Sequence, residues 1–464
     1  MKLTQTFPLL SLTLCLAVLT AALPVKKKVA VTDTPTGQVV TVKNNADQSV
    51  IYTGTYDDEP LSIKIPYDVS YTISVNDMED YLTPSSVTYT AGQLSRAVTL
   101  DYAYALPAEI VFDKSMSEPY NIEGDINSGA IETILSKVRR CLVKKTADGA
   151  VTIAYLRNDN SNYYEDGSAA VLTGGEGDVM VYLPQFYYKL YDVDATHRGL
   201  RISEYQIDAT YKKITEGLVG AYKAYVDDGK VYSRSGVRPT AEVSQADFSA
   251  YAQARGGGYD IIDYEMHCVI AFLFYAKYGT RDSQYKLGTG NLNYNAGLTG
   301  TTDAMGNADT RFAYTGAPSF LGIETAYGWY YEWVSKVVIN DLVWTITNPD
   351  GTTRTVTACA GIRPPNYWLK DIAAMGSSDY IDVVPTAVGG SQSTYFCDEY
   401  TMEKYGEYVL ARSCSSAYVD GGLTFTCTMY DSSYSYAHMS SRLAFRGTIA
   451  KASTIAAFKA LPVL

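Results

Sequence analysis

Residues suited to covalent or metal chemistry are few in this chain and stand far apart. The histidines are His197, His267 and His438, and the seven cysteines lie at positions 15, 141, 268, 359, 397, 414 and 427. No CxxC pair, HExxH helix, GxSxG elbow or Walker loop joins them, so zinc-finger, metalloprotease, hydrolase and nucleotide chemistry lack their usual arrangements. The residue types that do cluster favour non-covalent recognition. A frame opens at Glu407-Tyr408-Val409-Leu410-Ala411-Arg412 and closes at Ser441-Arg442-Leu443-Ala444-Phe445-Arg446-Gly447. Between them lie small, tyrosyl and acidic residues with no clear hydrophobic period. Tyrosine offers large contact area at low entropy cost, and Ser and Gly add adaptable polar contacts. The expected ligand contacts are Ser413, Ser415, Ser416, Tyr418, Asp420, Tyr430, Asp431, Ser433, Tyr434, Tyr436 and His438.

Composition narrows the setting. The 464 residues suffice for two to three domains. The chain has 42 tyrosines against 12 Phe and 4 Trp, an excess that suits both strands and binding surfaces. A net charge of −12 argues against a nucleic-acid partner, which calls for a basic footprint. Cys414 and Cys427 could pair across a hairpin, but buried free thiols are the expectation. His267 and Cys268 read as core residues and no cofactor is expected.

The elements that must position these residues follow from periodicity. Residues 1–28 hold an apolar run, Leu9 to Leu23, of signal-peptide length; the alternative is a buried strand or attachment segment. Residues 29–105 alternate in short β-branched runs, including Val39–Val42, Leu61–Ile65 and Tyr71–Val75, which predicts a small immunoglobulin-like β-sandwich acting as a spacer. Residues 106–180 read as an α/β connecting region or part of the head. Within it, 130–145 is expected to be an amphipathic helix with Ile131, Ile134, Leu135, Val138 and Leu142 inward and Lys137, Arg139, Arg140 and Lys144 solvated. Val179–Leu183 reads as a strand. Residues 181–464 form the expected ligand-binding head. Its central element is a buried helix from Asp263 to Tyr278, with Asp263 as N-cap and Gly279 at C′. A Gly/Asn-rich structured loop over 280–318 follows.

The segment Gly322-Ile323-Glu324-Thr325-Ala326-Tyr327-Gly328-Trp329-Tyr330-Tyr331-Glu332-Trp333 resembles the "GNVWEW" signature of the C-type-lectin-like fold shared with formylglycine-generating enzymes. Asp263–Gly279 is similar to that family's "PTEAEWEYAARGG" helix, and Arg442–Gly447 to its terminal "GFR" strand. The resemblance implies an α+β, C-type-lectin-like head over roughly 180–450, with Trp329, Trp333 and Phe445 as core anchors. It implies a structural role for Arg442, and a buried ion pair between Glu332 and Arg446. Cys414 and Cys427 do not match the enzymes' cysteine spacing, which argues against oxidase activity. The chain more closely resembles the variable proteins of diversity-generating retroelements, which occur on phage tails and bacterial surfaces. In that family a hypervariable stretch precedes a constant C-terminal strand, here about 412–446. Asparagine codons of the template are the ones diversified, and no asparagine follows Asn366 in this chain.

These readings combine into an extracellular receptor-binding or adhesion protein on a phage virion or bacterial surface. Its expected partner is a host-cell surface protein or glycan. A homo-oligomer, or attachment through the N-terminal region, is compatible with this scheme. The alternatives are a non-catalytic virion structural protein and, with less support, an oxidase of the formylglycine-generating type.

Overall fold

A computed structural model describes residues 11–15, 30–32, 38–55, 63, 65, 68–77, 81–92, 97–100, 103–104, 107–290, 297–310, 318–360, 367–376, 378–413 and 421–463. The chain is predominantly β-sheet with few helices. Among the described residues, no helix is long and apolar enough to cross a membrane. The chain divides into a smaller unit, 1–107 with 205–209, and a larger one, 108–204 with 210–464. Residues 108–180 therefore belong with the expected head.

The smaller unit holds a four-stranded antiparallel sheet in the order Val50–Thr55, Val39–Asn44, Tyr71–Val75, Val87–Tyr89. Val40, Val42, Tyr71, Ile73 and Val75 alternate inward and share a buried cluster with Ile63 and Leu100. This is the period-two burial that places one face of a sheet on a core. A separate three-stranded sheet pairs Ser11–Cys15 with both Ala30–Thr32 and Ala97–Leu100. Part of the apolar N-terminal run is thus strand. The expected strand Leu61–Ile65 lies mostly outside the described residues.

Among the described residues, the larger unit holds three large sheets and two two-stranded ones. One runs Tyr259–Ile261, Leu443–Phe445, Gly217–Gly220, Asp178–Leu183, Arg139–Ala147, Ala150–Tyr155, Thr448–Lys451. A second runs Thr353–Thr357, Val343–Thr347, Tyr331–Asn340, Glu407–Arg412, Thr426–Tyr430, Tyr400–Met402, with Met439–Ser440 lying parallel to the start of Tyr331–Asn340. The third is the five-stranded set Ile122–Gly124, Ala108–Asp113, His197–Ser203, Phe186–Asp192, Lys212–Ile214.

The helix Tyr264–Tyr278 is buried almost all round, as its composition requires. Asp263 Oδ1 accepts the Met266 amide at 2.8 Å, and Gly279 closes the helix at φ 64°. The Gly-rich segment that follows includes a short helix, Ser283–Leu287, and a 3₁₀ turn, Asp303–Met305. Here Gly290 (φ 94°) meets Gly328 (φ 77°), and a Cβ on Gly290 would come within 2.2 Å of the Gly328 carbonyl oxygen. Both positions need the left-handed freedom and the small size of glycine.

The helix expected over 130–145 is corrected. Only Gly129–Leu135 is helical, and Arg139–Ala147 is a strand held between Asp178–Leu183 and Ala150–Tyr155. A strand covered on both faces loses its alternation, so a helical period fitted its apolar residues by accident. The solvated face is corrected with it. Arg140 is buried and donates to Gly322 O and Thr302 Oγ1, each at 2.6 Å. Lys144 is buried too, and its ammonium donates to the carbonyls of Phe458, Lys459 and Leu461 at 3.2, 3.1 and 2.7 Å.

Candidate functional site

The expected binding stretch hangs from two central strands. Glu407–Arg412 and Thr426–Tyr430 pair antiparallel, with Ala411 opposite Cys427 and Arg412 opposite Thr426. Arg412 also lies opposite Glu332 on the strand Tyr331–Asn340. That register gathers a buried ionic cluster beneath the site. Arg412 Nε lies 2.7 Å from Glu332 Oε2, Lys223 Nζ 2.7 Å from Glu332 Oε1, and Arg442 Nε also bonds Oε1. Burial pushes the Glu332 carboxyl up, but Arg412, Arg442 and Lys223 together hold it well below the usual carboxylate range. Burial pushes Lys223 down to about 7 against the attraction of Glu332. His267 Nδ1 stands 2.6 Å from Arg412 Nη1. A guanidinium only donates, so Nδ1 accepts. Burial, then the Arg412 charge, lowers the His267 pKa well below its ordinary value, which keeps the imidazole neutral.

The expected Glu332–Arg446 pair does not form. Arg442 takes that place, while Arg446 bonds Asp263 at 2.8 Å and Glu265 at 2.9 Å. The strand Leu443–Phe445 separates the two arginines, so Arg446 emerges beside the N-cap of the helix Tyr264–Tyr278. Trp329, Trp333 and Phe445 are buried, and Trp333 Nε1 donates to Val243 O at 3.1 Å.

An aromatic strip rises from this core. Tyr430 meets Trp333 edge-on, with ring centroids 6.3 Å apart. Tyr434 stacks on Tyr430 at 4.1 Å and 12°, and Tyr436 follows at 6.5 Å from Tyr434. His438 lies 4.7 Å from Tyr436 and 5.2 Å from Tyr331, which in turn lies 5.6 Å from Phe425. Tyr436 is 53% exposed and Met429 38%.

Main-chain bonds fix the loop that carries the strip. Ala246 N donates to Ser432 O at 3.1 Å, Glu242 N to Tyr436 O at 3.2 Å, and Tyr331 N to His438 O at 2.9 Å. Asp431 Oδ1 accepts from Ser433 N at 2.8 Å and from Ser433 Oγ at 2.6 Å, which lowers the Asp431 pKa and keeps it anionic. Burial lowers the His438 pKa.

The structure sorts the sequence-derived residues into three groups. Asp431, Ser433 and Tyr436 are exposed, and Tyr430, Tyr434 and His438 are half-buried in the same strip. Ser415, Ser416, Tyr418 and Asp420 lie outside the described residues, as does Cys414. Ser413 is corrected. It is 1% exposed, and its Oγ lies 3.4 Å from both Lys223 Nζ and Tyr330 O. The wider stretch 412–446 is corrected in part. Residues 421–428 and 439–445 are buried, so among the described residues exposure is concentrated in 429–438. Cys427 is a buried free thiol whose pKa burial raises.

Sequence reasoning missed Tyr331 and Phe425 as members of the strip, and Lys223 as a member of the cluster. Tyr331 carried a signal, since it directly precedes Glu332 in the recognised motif. Lys223 carried none, because its partners are more than 100 residues away.

Fold and site together define a β-rich scaffold whose aromatic surface strip sits on a loop anchored through its main chain. No protein-family model matches the chain, and no curated protein matches it in sequence.

Proposed function

We propose that this is an extracellular ligand-binding protein, displaying a diversified face on a C-type-lectin-like scaffold at a phage or bacterial surface. The observation that carries the reading is the way the loop 431–438 is held. Its bonds to Glu242, Ala246 and Tyr331 use carbonyl oxygens of the loop, which every residue type supplies. Apart from Asp431, whose carboxylate holds Ser433, and Tyr434, stacked on Tyr430, side chains there can change while the backbone path stays fixed. The Tyr and Ser residues displayed match the composition of evolved paratopes, where aromatic anchors supply most of the binding energy. The partner is a host-cell surface protein or glycan.

Sequencing of codons 405–447 across the source population tests this reading. The expected outcome is substitution concentrated at Met429, Ser432, Ser433, Ser435–Ala437 and 414–420, with Thr424–Thr428 and Met439–Arg446 constant. A uniform sequence, or changes scattered through the buried positions, would remove the reading.

A further inference from the structure

Among the described residues, the strand Thr353–Thr357 ends its sheet and pairs only with Val343–Thr347. Two bonds flanking that pairing set its phase. Asn348 N donates to Thr352 O at 2.8 Å, and Ala358 N donates to Leu342 O at 2.9 Å. Bonded and non-bonded pairs alternate along an antiparallel ladder. Arg354 and Val356 therefore bond inward to Ile346 and Trp344, their register partners. The N–H and C=O groups of Thr353, Thr355 and Thr357 point away from the sheet, and no backbone bond to another described residue reaches them.

Edge strands in stable monomers are usually blunted by charge, proline, a bulge or a cover. Most other ends of the three large sheets follow that rule. Ile122–Gly124 carries Glu123, Lys212–Ile214 two lysines and Thr448–Lys451 the exposed Lys451, while Asp260 on Tyr259–Ile261 is paired with Lys336 at 3.1 Å. Tyr400–Met402 is covered by the bond from Tyr400 N to Tyr367 O at 2.7 Å. Among the described residues, Thr353–Thr357 has no such cover, proline or bulge. Its register with Val343–Thr347 is unbroken, and its side chains on the exposed face are all threonine. Its one charge, Arg354, is committed to Asp382 at 2.6 Å. Beside it, Val338 and Val343 extend the neutral surface.

We infer that this edge docks a second copy of the chain through antiparallel pairing of Thr353–Thr357 with itself, about a two-fold axis at Thr355. The segment is self-complementary in that register. Thr355 meets the second copy's Thr355, Thr353 meets Thr357, and each pair exchanges both N–H···O bonds. Arg354 then lies opposite Val356. Sliding the pairing so that Arg354 faces its own counterpart would oppose like charges, which disfavours that alternative. A strand pair this short buries less area than a standard stable interface, so the expected dimer is dissociable.

Sedimentation of the full chain across a series of rising concentrations tests the inference. Wild type should shift from monomer to dimer. Thr355→Lys and Thr355→Glu should each stay monomeric, because each places like charges face to face at the axis, and an equimolar mixture of the two should dimerise again. Thr355→Val should dimerise like wild type. A wild type that remains monomeric overturns the proposal and leaves the edge to another partner or to solvent. A wild-type dimer that Thr355→Lys leaves intact overturns it too, because the contact then lies elsewhere. The mixing arm guards against a misfolded variant, since only folded chains can restore the dimer.

Discussion

Glu332 faces Lys223, Arg412 and Arg442 with no water-exposed route for any of the four side chains. Such a cluster contributes a unique arrangement more than net stability, yet removing its central charge is costly. Glu332→Gln should lower the unfolding free energy by about 3–5 kcal/mol, read from urea denaturation, because buried cations lose their counter-charge. Lys223 gives a prediction with a sign. Its amine titrates at about 7 in the fold, against about 10.4 in an unfolded chain. Between those values the unfolded chain binds more protons, so this residue makes stability rise with pH across the window. Below about 7 both states are protonated, and the cost of charging the buried amine is felt in full. Buried tyrosines and thiols push the other way at higher pH, so the test is a difference. Stability measured at pH 7 and pH 9 should rise less in Lys223→Met than in wild type, and parallel profiles would refute the assignment. At this scale the sequence revealed the large aromatic anchors, because Trp and Phe have few places to go but the core. It hid the ion-pair partners, since strand register rather than spacing chose Arg442 over Arg446 for Glu332.

At the level of elements, local signals were readable where local physics decides the outcome. The helix Tyr264–Tyr278 begins and ends at its cap residues. Asp263 does two jobs there, capping the Met266 amide and pairing with Arg446. Asp263→Asn keeps a good cap but loses the charge, and Asp263→Ala loses both. The expected order of melting temperatures is wild type, then Asn, then Ala, with the cap alone worth about 1 kcal/mol. Equal losses for the two variants would show that the cap contributes nothing. The strand Arg139–Ala147 was illegible for the opposite reason. Residues 140–144 are buried one after another, and a strand buried on both faces shows no alternation. Likewise Ser413 looked like part of a polar loop, but it sits at the end of a central strand beside Lys223.

On the scale of the whole molecule, a fixed frame and a changeable face make different demands on sequence. Residues 439–445 run into the sheet interior, where Leu443–Phe445 is bonded on both sides, and Arg442 closes the ionic cluster. The loop 431–438 is tied to the same frame by backbone groups and turns Asp431, Ser432, Ser433, Ser435 and Tyr436 outward. Within it, Tyr434 and Tyr436 should behave differently despite their like chemistry. Tyr434 stacks on Tyr430, which packs against Trp333, so Tyr434→Ala removes stacking and apolar burial and should cost about 1–3 kcal/mol of stability. Tyr436 is half in solvent, and Tyr436→Ala should leave the melting temperature nearly unchanged. Binding should report the reverse emphasis. On an array of cell-surface glycans and proteins, Tyr436→Ala should lose 10-fold or more of the wild-type signal, about 1.4 kcal/mol or above, as expected of an aromatic anchor. If wild type binds and Tyr436→Ala binds equally well, the strip is not the recognition face, and the tyrosines serve packing alone.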